Sequence, residues 1–96
     1  MTRRAARVDA CHAEIREALR KCGYVVLDTF RAGFGVPDMF VLSKSKRWVA
    51  FEVKSPGGVL TDDEAELFDK VQPGPLYTVT SVEQALELMN FYDGKE

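Results

Sequence analysis

The chain has 96 residues, enough for one domain with a single hydrophobic core. It contains 46% hydrophobic and 29% charged residues, the balance of an ordinary globular protein, which excludes a disordered or membrane-embedded class. The net charge of −2 argues against a nucleic-acid binder, but residues 1–54 hold 11 Lys/Arg and 6 Asp/Glu (+5), whereas residues 55–96 hold 2 and 9 (−7). This division allows either a basic face in the first half or two simply solvated halves.

Targeting and redox signals are few. No apolar run approaches the roughly 20 residues that cross a bilayer, and residues 1–9 carry no signal-peptide pattern, so we expect an intracellular protein. Cys11 and Cys22 lie in one predicted helix, about 16 Å apart, which is too far for a disulfide. We interpret both as core thiols, and a single His excludes a zinc pattern.

The first third of the chain predicts a helix and a strand. A basic flexible arm, residues 1–7, precedes a helix over residues 8–21, in which apolar residues recur at helical spacing. Gly23 ends this helix. Residues 24–29 are typical of a strand, and residues 30–36 contain two glycines and predict a turn or mobile loop.

A hairpin follows, with strands 39–42 and 48–53 around a short polar loop. The remaining predicted elements are a helix opened by the capping box Thr61–Glu64, a strand over residues 76–80, and a helix opened by a second capping box, Ser81–Gln84, and running to about Phe91. Residues 8–92 form the single predicted domain and residues 93–96 a tail. The order α-β-β-β-α-β-α predicts an α/β fold, a mixed sheet flanked by helices.

The hairpin brings charged residues together at one end. With the turn centred near Ser45, Asp38 lies directly opposite Glu52, so the two side chains share a face of the sheet. Strand alternation puts Lys54 on that face as well. Such clusters are often solvated surface, but both faces of this hairpin are otherwise apolar, and charged groups there rarely stay buried unless they are paired or bind a cation. The pattern predicts a divalent-metal site with a cationic group beside it.

The sequence Pro37-Asp38 followed, after 13 intervening residues, by Glu52-Val53-Lys54 resembles the PD-(D/E)xK nuclease signature. Over roughly residues 8–90 the chain resembles the small stand-alone virus-type replication-repair nuclease (VRR-NUC) domains, which are often phage-encoded. The resemblance implies the restriction-endonuclease-like core of that superfamily, and a location in the cytoplasm of a bacterium or of a phage-infected host.

The resemblance also implies a metal centre. Asp38 and Glu52 would bind Mg²⁺ or Mn²⁺, with the Val53 carbonyl as a backbone ligand. Glu14, on the flank of the first helix, would complete the shell directly or through water, although its position alone is equally that of a surface acid. Lys54 would orient or deprotonate the attacking water, or stabilise the charge that develops on the phosphate.

One residue departs from the family pattern. Relatives commonly carry Gln where this chain has Glu64, which could be the capping-box acid, a further site carboxylate, or both. Candidate phosphate contacts, which could also be plain surface charge, are Arg31, Lys44, Lys46, Arg47 and the N-terminal arginines.

The expected function is metal-dependent endonucleolytic cleavage of DNA. The resemblance implies a homodimer that acts on branched DNA such as four-way (Holliday) junctions. Apolar side chains outside the predicted core, Phe30, Phe34, Phe91 and Tyr92, could supply a two-fold interface. Alternatives are a non-catalytic DNA- or partner-binding module with the same fold, and an exonuclease or nickase subunit of a larger complex.

Overall fold

A computed structural model describes residues 11–33 and 35–94 of the chain. The predicted basic arm and Phe34 lie outside the described residues. The predicted order of elements is confirmed, with one added 3-10 turn over Phe30–Ala32. The helices and strands are α1 (Cys11–Lys21), β1 (Val25–Asp28), β2 (Met39–Leu42), β3 (Trp48–Val53), α2 (Asp62–Val71), β4 (Leu76–Val79) and α3 (Val82–Tyr92).

The four strands form one mixed sheet in the order β1-β2-β3-β4. The first three strands are antiparallel, and β4 runs parallel to β3. The parallel pair needs a crossover, which α2 supplies. This confirms the predicted α/β class with a mixed, helix-flanked sheet.

The two faces of the sheet have different roles. The core face, which carries Met39, Val41, Val49, Phe51 and Val53, is buried beneath α1 and α3. Its central side chains pack against Ile15 and Leu19 of α1 and Met89 of α3. The site face, which carries Asp38, Phe40, Ala50 and Glu52, lies on the opposite side, where α2 covers it in part. Burial of the core face therefore fixes which way the predicted site residues point.

Helix caps set where α2 and α3 begin. The Thr61 hydroxyl accepts a hydrogen bond from the Glu64 N–H, and the Glu64 carboxylate accepts one from the Thr61 N–H, which confirms the first capping box. In α3 the Ser81 hydroxyl accepts from the Gln84 N–H, but the Gln84 side chain accepts from the Thr80 N–H at 2.6 Å. The second cap is therefore a variant of the predicted box, in which the return bond reaches one residue further upstream.

Two other predictions need correction. Cys22 is exposed, because α1 ends at Lys21 and Gly23 turns the chain with a φ of 93°. Only Cys11, which is partly buried and packs against the core, fits the core-thiol interpretation. Asp93, assigned to the tail, accepts hydrogen bonds from the Tyr24 hydroxyl and the Lys44 N–H and so ties the end of α3 to the sheet. Within the described ranges no helix is long and apolar enough to cross a membrane.

Candidate functional site

Asp38 and Glu52 occupy opposed positions at the end of the hairpin. The β2–β3 ladder pairs Met39 with Phe51. The Asp38 N–H donates to the Phe51 carbonyl at 3.0 Å, so the next position outward sets Asp38 across from Glu52. The two carboxyl groups therefore share the site face. The register predicted from the sequence is confirmed.

The Glu52 carboxyl is buried and incompletely paired. The residue is 3% exposed, and within the described part of the chain its Oε1 has no hydrogen-bond partner. Burial raises the pKa of Glu52 to about 9, and the neighbouring charges of Asp38 and Glu64 add to the effect, whereas Lys54 opposes it. Without a cation, the protonated form of Glu52 is therefore favoured at neutral pH.

Asp38 is held by the backbone of the neighbouring strand. The Val53 N–H donates to Asp38 Oδ2 at 2.8 Å, a bond that favours the carboxylate. Burial nevertheless raises the pKa of Asp38 above its usual value. The Val53 N–H thus contacts Asp38, whereas the role of the Val53 carbonyl as a metal ligand stays a prediction.

Lys54 and Glu64 form an ion pair next to the two acids. Their Nζ and Oε1 atoms lie 2.9 Å apart, and the same Oε1 accepts from the Thr61 N–H at 2.8 Å. Burial favours the neutral form of each, but the bond to Glu64 leaves the pKa of Lys54 raised. The Thr61 N–H bond and then the Lys54 ammonium leave the pKa of Glu64 lowered. Glu64 is therefore both the capping-box acid and part of the charged cluster, so the two predicted roles coexist.

We call the group formed by Asp38, Glu52, Lys54 and Glu64 the acid cluster. When all four groups are ionised, it carries three negative charges and one positive charge. The residual charge of two equals that of one divalent cation. The cluster can become neutral by taking up protons, as the raised pKa of Glu52 indicates, or by binding such a cation.

A glycine lets the loop before Asp38 pack closely against α2. Gly35 has a φ of 78°, and a Cβ atom there would lie 2.8 Å from the Asp63 Cβ. Only glycine allows both this backbone conformation and this approach. Because Asp63 precedes Glu64, the contact positions α2 over the strand ends and Glu64 beside Lys54.

A buried histidine next to the acid cluster was missed by the sequence reasoning. His12 Nε2 lies 3.2 Å from Asp28 Oδ2, which also accepts from Arg16 at 2.5 Å. Burial opposes the charge of Asp28, but the bonds from Arg16, the Phe30 N–H and His12 keep its pKa low. Positive charge on His12 lowers the pKa of Asp38. His12 shares the i, i+3, i+7 spacing of Ile15 and Leu19, a signal lost when only apolar residues are counted.

Other predicted site residues lie apart from the cluster. Glu14 is on the exposed side of α1 and is not among the groups that shift the pKa of Asp38 or Glu52, so its ligand role stays a prediction. Arg31 is exposed in the 3-10 turn. The basic turn, Lys44 with Lys46 and Arg47, is exposed at the other end of the hairpin. Arg47 lies five positions before Glu52 in the chain, a distance of about 17 Å along a strand.

In the described ranges, no group of three or more His, Cys, Asp or Glu side chains is arranged to hold a metal ion. A cation at Asp38 and Glu52 would therefore take its other ligands from backbone oxygen and water, as Mg²⁺ does when it keeps several waters. No protein-family model, curated protein or solved structure matches the chain.

Proposed function

We propose that this chain is a metal-dependent DNA endonuclease that hydrolyses phosphodiester bonds, with a PD-(D/E)xK core of the VRR-NUC type. The observation that carries the proposal is the pairing of partly buried Asp38 with buried Glu52 on one face of adjacent strands. Within the described residues one Glu52 oxygen has no hydrogen-bond partner, and the Lys54 ammonium is nearby. Buried acids without enough hydrogen-bond donors are unfavourable in a purely structural role.

The residues present fit a hard divalent cation. Asp38, Glu52 and the Val53 carbonyl would hold Mg²⁺ or Mn²⁺, both of which prefer oxygen ligands. Such an ion supplies positive charge that lowers the pKa of a bound water and shields the scissile phosphate. The Val53 N–H bond keeps Asp38 oriented. Glu52 would release its proton once the positive charge of the cation offsets its own negative charge.

Lys54 is the residue that acts on the reacting groups in this proposal. Its ammonium is held by Glu64 at 2.9 Å, beside the acid pair. It would orient the attacking water, or donate to the phosphate oxygens as negative charge develops there, because its raised pKa keeps it protonated and so disfavours the third predicted role, that of a base. Glu64 positions Lys54 and is itself fixed by the Thr61 N–H.

The expected substrate and assembly follow from the resemblance. The basic turn and Arg31 would contact phosphates away from the cut, because phosphate contacts position DNA without reading its sequence. A homodimer acting on branched DNA such as four-way junctions has support in exposed apolar side chains. Leu27 on the edge strand β1 is 50% exposed, and Phe91 is 69% exposed.

The test is cleavage of end-labelled linear, nicked, flap and four-way-junction DNA in Mg²⁺, Mn²⁺ or EDTA. We expect cutting that requires the ion and is greatest on branched DNA. Asp38→Asn, which can still accept the Val53 N–H bond, should reduce cutting to background. Lys54→Ala should lower the rate by roughly 10²- to 10⁴-fold.

DNA binding measured in parallel separates the outcomes. Retained binding with lost cutting in both variants supports the assignment. Unchanged cutting by Asp38→Asn would overturn it. Binding without cutting by the wild-type chain on every substrate would favour the alternative, a non-catalytic module that keeps this fold.

A further inference from the structure

An apolar groove lies on the site face between the sheet and α2. It encloses about 230 Å³ and is lined, among others, by Phe40, Trp48, Ala50, Leu67 and Val71. Trp48, at the outer end of β3, is 45% exposed, so the groove opens to solvent beside an aromatic ring. A solvent-open apolar groove of this kind is a candidate binding site for an apolar, flat group.

The groove lies beside the acid cluster along the paired strands β2 and β3. Ala50 and Phe40 are each two residues from Glu52 and Asp38 on the same face of paired strands. Two residues span about 7 Å along a strand. A phosphate at the acid cluster would therefore place the neighbouring nucleotide of an extended strand over the groove, with Trp48 one further step along β3.

Charge at one end suits a polyanion that crosses the groove. Lys46 and Arg47 directly precede Trp48 and are exposed. At the other end Lys54 is paired with Glu64, and the acid cluster would attract a phosphate once a divalent cation offsets its negative charge. Cations beside an aromatic, apolar groove are the arrangement by which proteins bind unpaired nucleic acid, with the backbone held by charge and the bases by stacking.

Size and lining restrict the occupant. The groove is smaller than the roughly 300–1,000 Å³ of pockets for drug-sized ligands, so it suits a single ring system better than a base pair. Apart from the indole N–H of Trp48, its named lining side chains offer no donor or acceptor to read base edges, which makes stacking tolerant of sequence. A base inside a duplex keeps its faces stacked, and removing it is least unfavourable when it is already unpaired.

We propose that this groove binds an unpaired nucleobase adjacent to the phosphate at the acid cluster. The substrate class is then DNA with unpaired nucleotides, single-stranded or at a branch point, recognised without base-sequence preference. The inference rests on the proposed nuclease function, because the acid cluster places the phosphate. The two proposals can be tested separately, because binding of a base in the groove can be measured without cleavage of the DNA.

The single Trp of the chain gives a direct signal. With Ca²⁺ in place of Mg²⁺, so that a divalent cation can offset the acid cluster, and with the absence of cutting checked on a gel, the intrinsic fluorescence of Trp48 is followed during titration with a short oligothymidylate. The same titration uses its fully paired duplex and an oligonucleotide of abasic spacers with equal charge. We expect saturable quenching by oligothymidylate, much weaker quenching by the duplex, and none by the abasic strand, because only free bases can stack on the indole.

Variants test the groove through the anisotropy of a labelled oligothymidylate. Trp48→Leu keeps an apolar side chain but removes the aromatic face, and should weaken binding roughly tenfold. Trp48→Phe should restore most of the affinity. Val59→Ala, which shortens an exposed apolar side chain outside the groove lining, is the control and should bind as the wild type does.

Two results would overturn the proposal. Binding seen by anisotropy with no change in Trp48 fluorescence would mean that bases do not enter the groove, even if the chain cuts DNA. The second result is a Trp48 emission spectrum that does not change when DNA is added but shifts with protein concentration, in parallel with dimer formation measured by sedimentation. It would mean that a second copy of the chain covers the groove. Quenching by oligothymidylate without any cleavage in Mg²⁺ would support the groove and reject the nuclease.

Discussion

Glu52 carries a buried carboxyl group whose charged form is unfavourable in the metal-free protein. Its pKa of about 9 lies above that of an exposed glutamate, roughly 4.3. Between these pH values the folded state keeps a proton that the unfolded chain has released. The resulting stabilisation is fully present below the unfolded pKa and is lost as the pH rises toward about 9.

We therefore expect the melting temperature in EDTA to fall between about pH 5 and pH 9. Glu52→Gln keeps the size and hydrogen-bonding capacity of the side chain without the titration. This variant should show a flatter profile and be more stable than the wild type at the alkaline end. Parallel profiles for the two proteins would mean that Glu52 does not titrate as its environment indicates.

Glu64 combines two roles that substitution can separate. Glu64→Gln can keep the bond from the Thr61 N–H but loses the charge that pairs with Lys54. We expect a change in stability of about 0–1 kcal/mol, because the pair is only partly buried. The Mg²⁺ concentration for half-maximal cleavage should rise, since the acid cluster loses one negative charge.

Thr61→Ala is the matched control for that substitution. It removes the hydroxyl that accepts from the Glu64 N–H and should lower stability by about 0.5–2 kcal/mol. Its Mg²⁺ requirement should stay near that of the wild type, because the Glu64 carboxylate remains. An unchanged Mg²⁺ requirement in Glu64→Gln would reduce Glu64 to a helix cap.

The loop before β2 and the start of α2 depend on one close contact. In Gly35→Ala the new Cβ would meet the Asp63 backbone at 3.0 Å and its Cβ at 2.8 Å, at a positive φ. We expect a loss of about 1–3 kcal/mol in the free energy of unfolding, measured by urea denaturation. Cleavage should fall as well, because the displaced α2 carries Glu64 away from Lys54.

Gly57→Ala is the control that introduces backbone strain at a positive φ without a steric clash of the new Cβ. Gly57 also has a positive φ, of 85°, but a Cβ there would meet nothing within 4 Å. It should destabilise the fold by no more than the backbone strain and leave cleavage unchanged. Equal effects of the two substitutions on cleavage would remove the argument that the contact at Gly35 positions α2.

The hairpin was predictable because several local signals agree. Its strands are apolar on both faces, the loop between them is short and polar, and a turn near Ser45 fixes the partner of every residue. The bounds of β2 and β3 and the opposition of Asp38 to Glu52 followed directly. The capping box of α2 was predictable for the same reason, because it involves only Thr61 and Glu64, three residues apart.

Contacts distant in sequence were not predictable in this way. Whether Cys22 points inward depends on where α1 ends, and the position of His12 depends on Asp28, 16 residues away. The approach of Gly35 to Asp63 joins two loops that periodicity does not relate. The groove beneath Trp48 arises from how far α2 covers the sheet, which helical spacing within α2 does not determine.

At the scale of the whole molecule, the edge strand β1 exposes an apolar surface. Leu27 is 50% exposed beside Val25, on the site face of the sheet. If this edge forms the proposed homodimer, Leu27→Lys should convert the chain to a monomer in sedimentation velocity experiments, because a charge would be buried at the interface. Val59→Lys, at a loop position that is even more exposed, is the control and should leave the dimer intact.

A monomeric wild-type chain would contradict the homodimer without affecting the acid cluster, since all four of its residues belong to one chain. Dimerisation that survives Leu27→Lys would place the interface elsewhere on the surface. The region of Phe91, at the opposite side of the sheet near the end of α3, is then the next surface to test.

The most direct test of the metal centre is calorimetric titration of the DNA-free protein with Mn²⁺ near pH 7.5, in buffers of different ionisation enthalpy. We expect one site per chain and release of a proton on binding, because Glu52 must give up the proton that its raised pKa retains. Glu52→Gln should lose the site and the buffer dependence together. Equal Mn²⁺ binding by wild type and Glu52→Gln would contradict the account.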